Sequence, residues 1–108
     1  MTRLCALDDI EDTESAGMTA EIGGAERPLI LVRRGEQVWV YVNSCPHVGL
    51  PLDFKPGWFL SLDKKYIHCA NHGALFRIED GLCVAGPCVR QWLTAVPAEV
   101  KEGEVFLA

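Results

Sequence analysis

Gln37-Val38-Trp39-Val40-Tyr41-Val42-Asn43-Ser44-Cys45-Pro46-His47 is the stretch on which the fold of this chain turns. Val38, Val40 and Val42 share one side of an alternating run and Trp39 and Tyr41 the other, the two-residue period of a β-strand. The run ends at Asn43-Ser44 and delivers a thiolate and an imidazole one residue apart. A second block, Cys69-Ala70-Asn71-His72, follows the strand-like Tyr66-Ile67-His68 in the same way. Loops braced by strands preorganise ligands, so both blocks read as metal-ligating. Together they supply two Cys and two His. One zinc could take all four, but a single intervening residue between Cys45 and His47 is tighter than ligands sharing one zinc usually have. The spacing suits two metals better, with each block bridging a dinuclear centre so that one metal receives both thiolates and the other both imidazoles.

With iron, that ligand set is a [2Fe-2S] centre in which two His replace two Cys on one iron. The chain resembles the Rieske ferredoxin family through Cys45-Pro46-His47-Val48-Gly49, Cys69-Ala70-Asn71-His72-Gly73-Ala74-Leu75-Phe76 and the downstream Gly86-Pro87. It is similar to small soluble Rieske ferredoxins, and to the Rieske domain of ring-hydroxylating oxygenases, over most of its 108 residues. The resemblance implies an all-β fold, a Rieske-like antiparallel β-sandwich with a small cluster-binding subdomain of two ligand loops. Those loops would cover roughly residues 43–52 and 68–76, with a covering loop at roughly 84–89 that contains Gly86-Pro87, all within one domain over residues 1–108. It also implies one Rieske-type [2Fe-2S] cluster held by Cys45, His47, Cys69 and His72. One departure stands out: 21 residues, 48–68, separate His47 from Cys69, longer than is usual in the family. The excess is assigned to Asp53-Phe54-Lys55-Pro56-Gly57-Trp58, since lengthening a surface connection costs little.

Elsewhere Pro and Gly punctuate short, two-fold apolar periods, and helical stripes are absent. Leu29-Ile30-Leu31-Val32 is expected to pair with the 37–43 run across Arg33-Arg34-Gly35-Glu36. Further strands are expected over Arg3 to Ala6, Trp58 to Ser61, Tyr66 to Cys69, Leu75 to Ile78, Leu93 to Val100 and Glu104 to Leu107, an antiparallel sandwich or barrel pattern. Turns fall at Asp63-Lys64, Glu79-Asp80-Gly81 and Glu102-Gly103.

Ten Lys and Arg against fifteen Asp and Glu leave a net charge of −5, and there is no basic run. Nucleic acid and anionic membranes are therefore not expected as partners, and a positively patched protein is. No stretch of 18 apolar residues and no signal-like start occur, so a cytoplasmic protein is expected. Five cysteines is an odd count that argues against a closed disulfide framework. Cys5, Cys83 and Cys88, outside the proposed ligand set, read as small buried hydrophobes. His68 reads as a strand residue or a neighbour of the centre. Asp8-Asp9-Ile10-Glu11-Asp12-Thr13-Glu14 places five carboxylates in seven residues; it reads as a solvated loop or first helical turn, or as part of an acidic docking face.

High-potential relatives in respiratory complexes carry a disulfide between the ligand loops and Ser and Tyr hydroxyls directed at the cluster and its sulfur. The matching positions here are Leu50 and Asn71, and Ala74 and Phe76. Hydrogen bonds to sulfur favour the reduced state, so their absence places the potential near the low end of the Rieske range, about −150 mV. A Rieske oxygenase also needs a mononuclear iron on two His and a carboxylate. With His47 and His72 used, only His68 remains, so the chain reads as an electron-transfer component and not as an enzyme. The expected partners are a reductase and a terminal oxygenase. Two other readings are a small subunit of a nitrite-reductase-like complex, which commonly lacks the ligands, and a zinc-stabilised interaction module.

Overall fold

In this computed structural model the described residues are 2–44, 52, 59–61, 63–69, 73–86 and 89–107. Among these residues nine strands follow in chain order. The first four are β1 (Thr2–Ala6), β2 (Ser15–Ile22), β3 (Ala25–Arg34) and β4 (Gln37–Val42), with one short 3-10 turn, Leu7–Asp9, after β1. Then come β5 (Tyr66–His68), β6 (Leu75–Arg77), β7 (Cys83–Ala85), β8 (Ala98–Lys101) and β9 (Glu104–Leu107). They form three antiparallel sheets of order β1-β9-β8, β2-β3-β4 and β5-β6-β7. No α-helix occurs among the described residues.

The β2-β3-β4 sheet is the middle layer, and its register explains the unbroken apolar run in β3. Leu31 lies opposite Val40 and Leu29 opposite Val42, while Ile30 lies opposite Tyr41 and Val32 opposite Trp39. Directly opposed residues share a face. Leu29, Leu31 and Val40 pack with Leu4, Leu7, Ile10 and Val105 in one core, beneath the β1-β9-β8 sheet. Ile30, Val32 and Tyr41 pack with Ile67, Phe76 and Cys83 in a second core, beneath the β5-β6-β7 sheet. A strand covered on both faces has no reason to alternate. The alternation in β4 is between two apolar sides, the aliphatic one facing the sandwich and the aromatic one facing the small sheet.

Two expected strands differ, and two strands form that the sequence does not mark. β2 lies in a stretch that the sequence does not mark as a strand, because Ala16, Gly17, Met18 and Ala20 have weak β-propensity. It forms because Ile22-Gly23-Gly24-Ala25 closes a two-residue hairpin with both glycines at positive φ, +62° and +83°, the geometry that such turns require. The expected strand at 93–100 is divided. Val42 donates to the Thr94 carbonyl and Val96 to the Val40 carbonyl, both at 2.9 Å, but Pro97 has no N–H to extend the ladder. The chain there leaves β4 and re-forms as β8 against β9, so this segment joins the two sandwich sheets. In the described part of 58–61, pairing reduces to one bridge, Leu60 with Ile67. Cys83–Ala85, not expected as a strand, is β7.

Tyr41 ties the middle sheet to the small one. Its hydroxyl donates to the Ile78 carbonyl at 2.5 Å, and burial, with Asp80 and Glu79 adding negative charge, pushes its pKa up to about 12. Tyrosine ionises near 10 when unfolded, so the folded state holds this proton more tightly. The resulting stability is complete below about pH 10 and is lost as pH rises toward 12. Tyr41→Phe is expected to cost roughly 1 to 3 kcal/mol at neutral pH, since it leaves the Ile78 carbonyl without this donor. It should also flatten the fall in stability between about pH 10 and 12. Denaturant titrations of both proteins at pH 8 and pH 11 check this.

Candidate metal centre

Of the four proposed ligands, Cys69 is the described one. It directly follows β5, in phase with Ile67, so it points into the second core, where it is fully buried beside Ala74 and Phe76. The loop it opens is clamped at its base. The Cys69 N–H donates to the Ala74 carbonyl at 2.8 Å, and the Gly73 N–H donates to the Cys69 carbonyl at 2.9 Å. His72, with Ala70 and Asn71, lies outside the described residues, between these two clamped ends.

The first ligand loop has a clasp of its own, which the sequence reading missed. Asn43 ends the β4 run, is nearly buried, and accepts the Leu52 N–H on its Oδ1 at 2.8 Å. Its own N–H donates to the Pro28 carbonyl at 2.9 Å. The segment between Ser44 and Leu52 is thus closed by a side chain, and Leu52 belongs to the same core as Cys69. Cys45 and His47, and Leu50 of the tuning positions, lie outside the described residues within that closed segment. Asn43, two residues before Cys45, carries the general signal of an amide that bonds backbone, but its partner Leu52 lies nine residues on and only the tertiary structure identifies it.

The third wall comes from the β7 hairpin. Gly86, at φ +95°, sits so close to the second ligand loop that a Cβ there would lie 2.7 Å from Ala74 Cα. Only glycine permits that approach and that backbone conformation. The expected covering loop therefore starts in contact with the loop that Cys69 opens, while Pro87 and Cys88 lie outside the described residues. Cys83 is buried with its Sγ donating to the Ala85 carbonyl at 3.1 Å, as expected of a structural thiol. Cys5 is half-buried and free, and burial, reinforced by Asp9, raises its pKa. His68 ends β5, half-buried and out of phase with Ile67 and Cys69; the same alternation turns it from the core into which the Cys69 side chain points.

Ala74 and Phe76 are fully buried in the core around Cys69. Neither carries a hydroxyl, so neither can donate to a sulfur there. The Asp53–Trp58 connection and Asn71 lie outside the described residues.

The acidic segment is located by its bonds. Arg33 donates to the carbonyls of Ile10, at 2.8 Å, and Leu7, at 3.3 Å; Asp12 accepts the Gly35 N–H at 2.7 Å; Glu14 pairs with Lys64. Lys64 lies in the turn two residues before β5, at a positive φ of 59°, and Cys69 follows β5, so the Glu14–Lys64 pair stands at the opposite end of β5 from Cys69. Asp8, Asp9, Glu11 and Asp12 are exposed, as a solvated turn requires.

The donor chemistry fits an iron–sulfur centre. A buried cysteine, two loops whose ends meet in one core, and a glycine that lets a third loop close in supply a dry, rigid mount for the ligands. No curated protein sequence matches the chain. Among solved structures, it is 30% identical to a chain of a complex of reduced oxygenase and oxidised ferredoxin in carbazole 1,9a-dioxygenase. That likeness covers 98% of this chain and 90% of the other, with a TM-score of 0.75. The ferredoxin of carbazole 1,9a-dioxygenase from Nocardioides aromaticivorans IC177 shares its fold at 24% identity and a TM-score of 0.76, over 99% of this chain and 95% of that one. So does a Sphingomonas yanoikuyae B1 ferredoxin, at 23% identity and a TM-score of 0.69, over 97% and 94% of the two chains. The family model for the Rieske [2Fe-2S] domain matches residues 1–102, and with it the chain belongs to the Rieske [2Fe-2S] domain family.

Proposed function

We propose that this protein is a one-electron carrier that takes electrons from a reductase and delivers them to a terminal oxygenase. Its Rieske [2Fe-2S] cluster would be held by Cys45 and Cys69 on one iron and His47 and His72 on the other. The observation that carries this is the convergence of the two ligand-loop ends, Leu52 on one side and Cys69 with Ala74 on the other, in one dry core. The resemblance to a chain of an oxygenase–ferredoxin complex supports the choice of acceptor. The cluster supplies reversible one-electron chemistry, with neutral and singly negative states. The chain's own residues hold it: Asn43 closes the first loop, the Cys69–Ala74 hydrogen bond closes the second, and Phe76 and Ala74 exclude water from the thiolate side. No helix among the described residues is long and apolar enough to cross a membrane, and a cytoplasmic location for the single domain over residues 1–108 fits the odd cysteine count.

The test is direct. Purified protein should be red-brown, take up one electron per chain on reductive titration, and give the electron paramagnetic resonance signal of a mixed-ligand [2Fe-2S] centre. A colourless protein containing zinc overturns the reading.

Potential offers a second check. Ala74→Ser and Phe76→Tyr add hydroxyls at two fully buried positions in the core around Cys69. Each added donor to a sulfur stabilises the reduced state, so the double variant should have a midpoint potential raised by ~50 mV or more from a starting value near −150 mV. Voltammetry of the two proteins at one pH measures this, and an unmoved or lowered potential counts against hydroxyl control in this loop.

A further inference from the structure

Among the described residues, the large apolar side chains left exposed are Val84, Val89 and Trp92, at 42%, 50% and 58%. All three fall within nine consecutive residues, on the hairpin that covers the second ligand loop. Cys83 points into the core, so Val84 beside it faces outward. Trp92 bridges Leu82 across the ribbon and shares that outer face, while Leu93 next to it is buried. The ribbon is held by the Cys83 N–H donating to the Gln91 carbonyl at 2.8 Å. Isolated exposed apolar residues are ordinary; Val84 and Trp92 share one exposed face, with Val89 exposed in the turn between them, and such a grouping beside a functional site marks an interaction surface.

Charge selects the kind of partner. Arg77, on the same outer face, is already paired with Asp80. Arg90, between Val89 and Trp92, is exposed and takes part in no ion pair among the described residues. The segment 45–97, from the first ligand block to Pro97, carries five bases and four acids, whereas the remainder carries five bases and eleven acids. The acidic excess thus belongs to the sandwich, and Glu14 is fixed with Lys64 at the far end of β5. A partner with a basic surface would be drawn to that end, away from the ligand loops.

We propose that the outer face formed by Val84 and Trp92, with Val89 in the adjoining turn, is the docking surface for a redox partner that presents an apolar seat bearing a carboxylate. Trp92 is its anchor, and Arg90 supplies the charge that the carboxylate meets. Tryptophan and arginine carry binding energy where they are desolvated together at the centre of an interface. This replaces the positively patched partner expected from net charge alone. It rests on the electron-carrier reading, which makes the hairpin touching the ligand loop the place for a partner to bind.

Two cobalt(III) oxidants with aromatic ligands and opposite charge test it on the reduced holoprotein, each cobalt(III) taking one electron to become cobalt(II). These are the anion bis(dipicolinato)cobaltate(III) and the cation tris(phenanthroline)cobalt(III). Trp92→Ala and Arg90→Glu should each slow oxidation by the anion roughly fivefold or more, and Arg90→Glu should speed oxidation by the cation, with the midpoint potential unchanged. Fluorescence titration with the anionic aromatic dye anilinonaphthalene sulfonate, which needs no electron transfer, should show weaker binding to both variants. A partly unfolded variant would bind more dye, so misfolding cannot imitate this result. Unchanged rates with both oxidants overturn the proposal, as does a wild-type dimer that Trp92→Ala converts to monomer, since a second copy would then occupy the face. Wild-type protein without a Rieske spectrum defeats the electron-carrier reading itself, and is seen before any rate is measured.

Discussion

Cys69→Ser is expected to give a colourless protein that retains its sandwich. The Cys69 side chain is fully buried in the core beneath the small sheet. A serine hydroxyl at that place is a poor ligand for iron, because the thiolate's softness and ready ionisation are what iron–sulfur ligation uses. Binding a metal centre and ordering its loops draw on one free energy, so losing the ligand releases the loops as well as the cluster. The core between β2-β3-β4 and β1-β9-β8 contains neither ligand loop, and its far-ultraviolet circular dichroism should survive. Cys45→Ser and His72→Ala should behave alike, whereas His68→Ala should keep the visible spectrum, because His68 lies out of phase with Cys69 on β5. Absorption spectra and iron content decide each case. A normal spectrum in Cys69→Ser would refute the ligand assignment, and loss of the cluster in His68→Ala but not in His72→Ala would exchange the two imidazoles.

Gly86→Ala is expected to be strongly damaging, since among the described glycines an added Cβ makes its closest approach to a neighbour here. A Cβ at that position would stand 2.7 Å from Ala74 Cα and 3.1 Å from both Ala74 Cβ and Ala74 N, all on a backbone that also supplies the carbonyl accepting the Cys69 N–H. Its φ of +95° adds strain for any side chain. Strain and overpacking each cost about 1 to 3 kcal/mol, which corresponds to a fall in melting temperature of roughly 10 to 20 °C for a domain of this size. The displacement passes straight to the loop that opens at Cys69, so the cluster should also bleach faster in air. Gly24→Ala separates the two causes: its φ is +83° but nothing lies within 4 Å of the added methyl. It should lower the melting temperature by only a few degrees and leave bleaching unchanged. Thermal melts with the rate of visible bleaching measure both, and equal bleaching in the two variants would show that contact with Ala74 does not matter.

The sequence by itself determined the family, with its cluster type, and the class of fold. Cys45-Pro46-His47 and Cys69-Ala70-Asn71-His72 are legible as a proposed ligand set because residue type and spacing are local properties, decided by covalent neighbours. The alternation of Val38, Trp39, Val40, Tyr41 and Val42 is legible for the same reason, since the pleat imposes its period on any strand. Only the tertiary structure decided the rest. Leu29-Ile30-Leu31-Val32 conceals its two faces until both are seen to be covered. β2 exists because a Gly-Gly turn folds weak strand formers onto β3, and Pro97 divides an apolar run by withholding one N–H from a partner that the sequence does not identify. Asn43 and Gly86 gain their importance from Leu52 and Ala74, nine and twelve residues away, and Arg33 holds the acidic segment by carbonyls more than twenty residues earlier. Net charge is a sum over the whole chain, whereas docking responds to where the charges stand, and that follows from contacts between residues far apart in sequence.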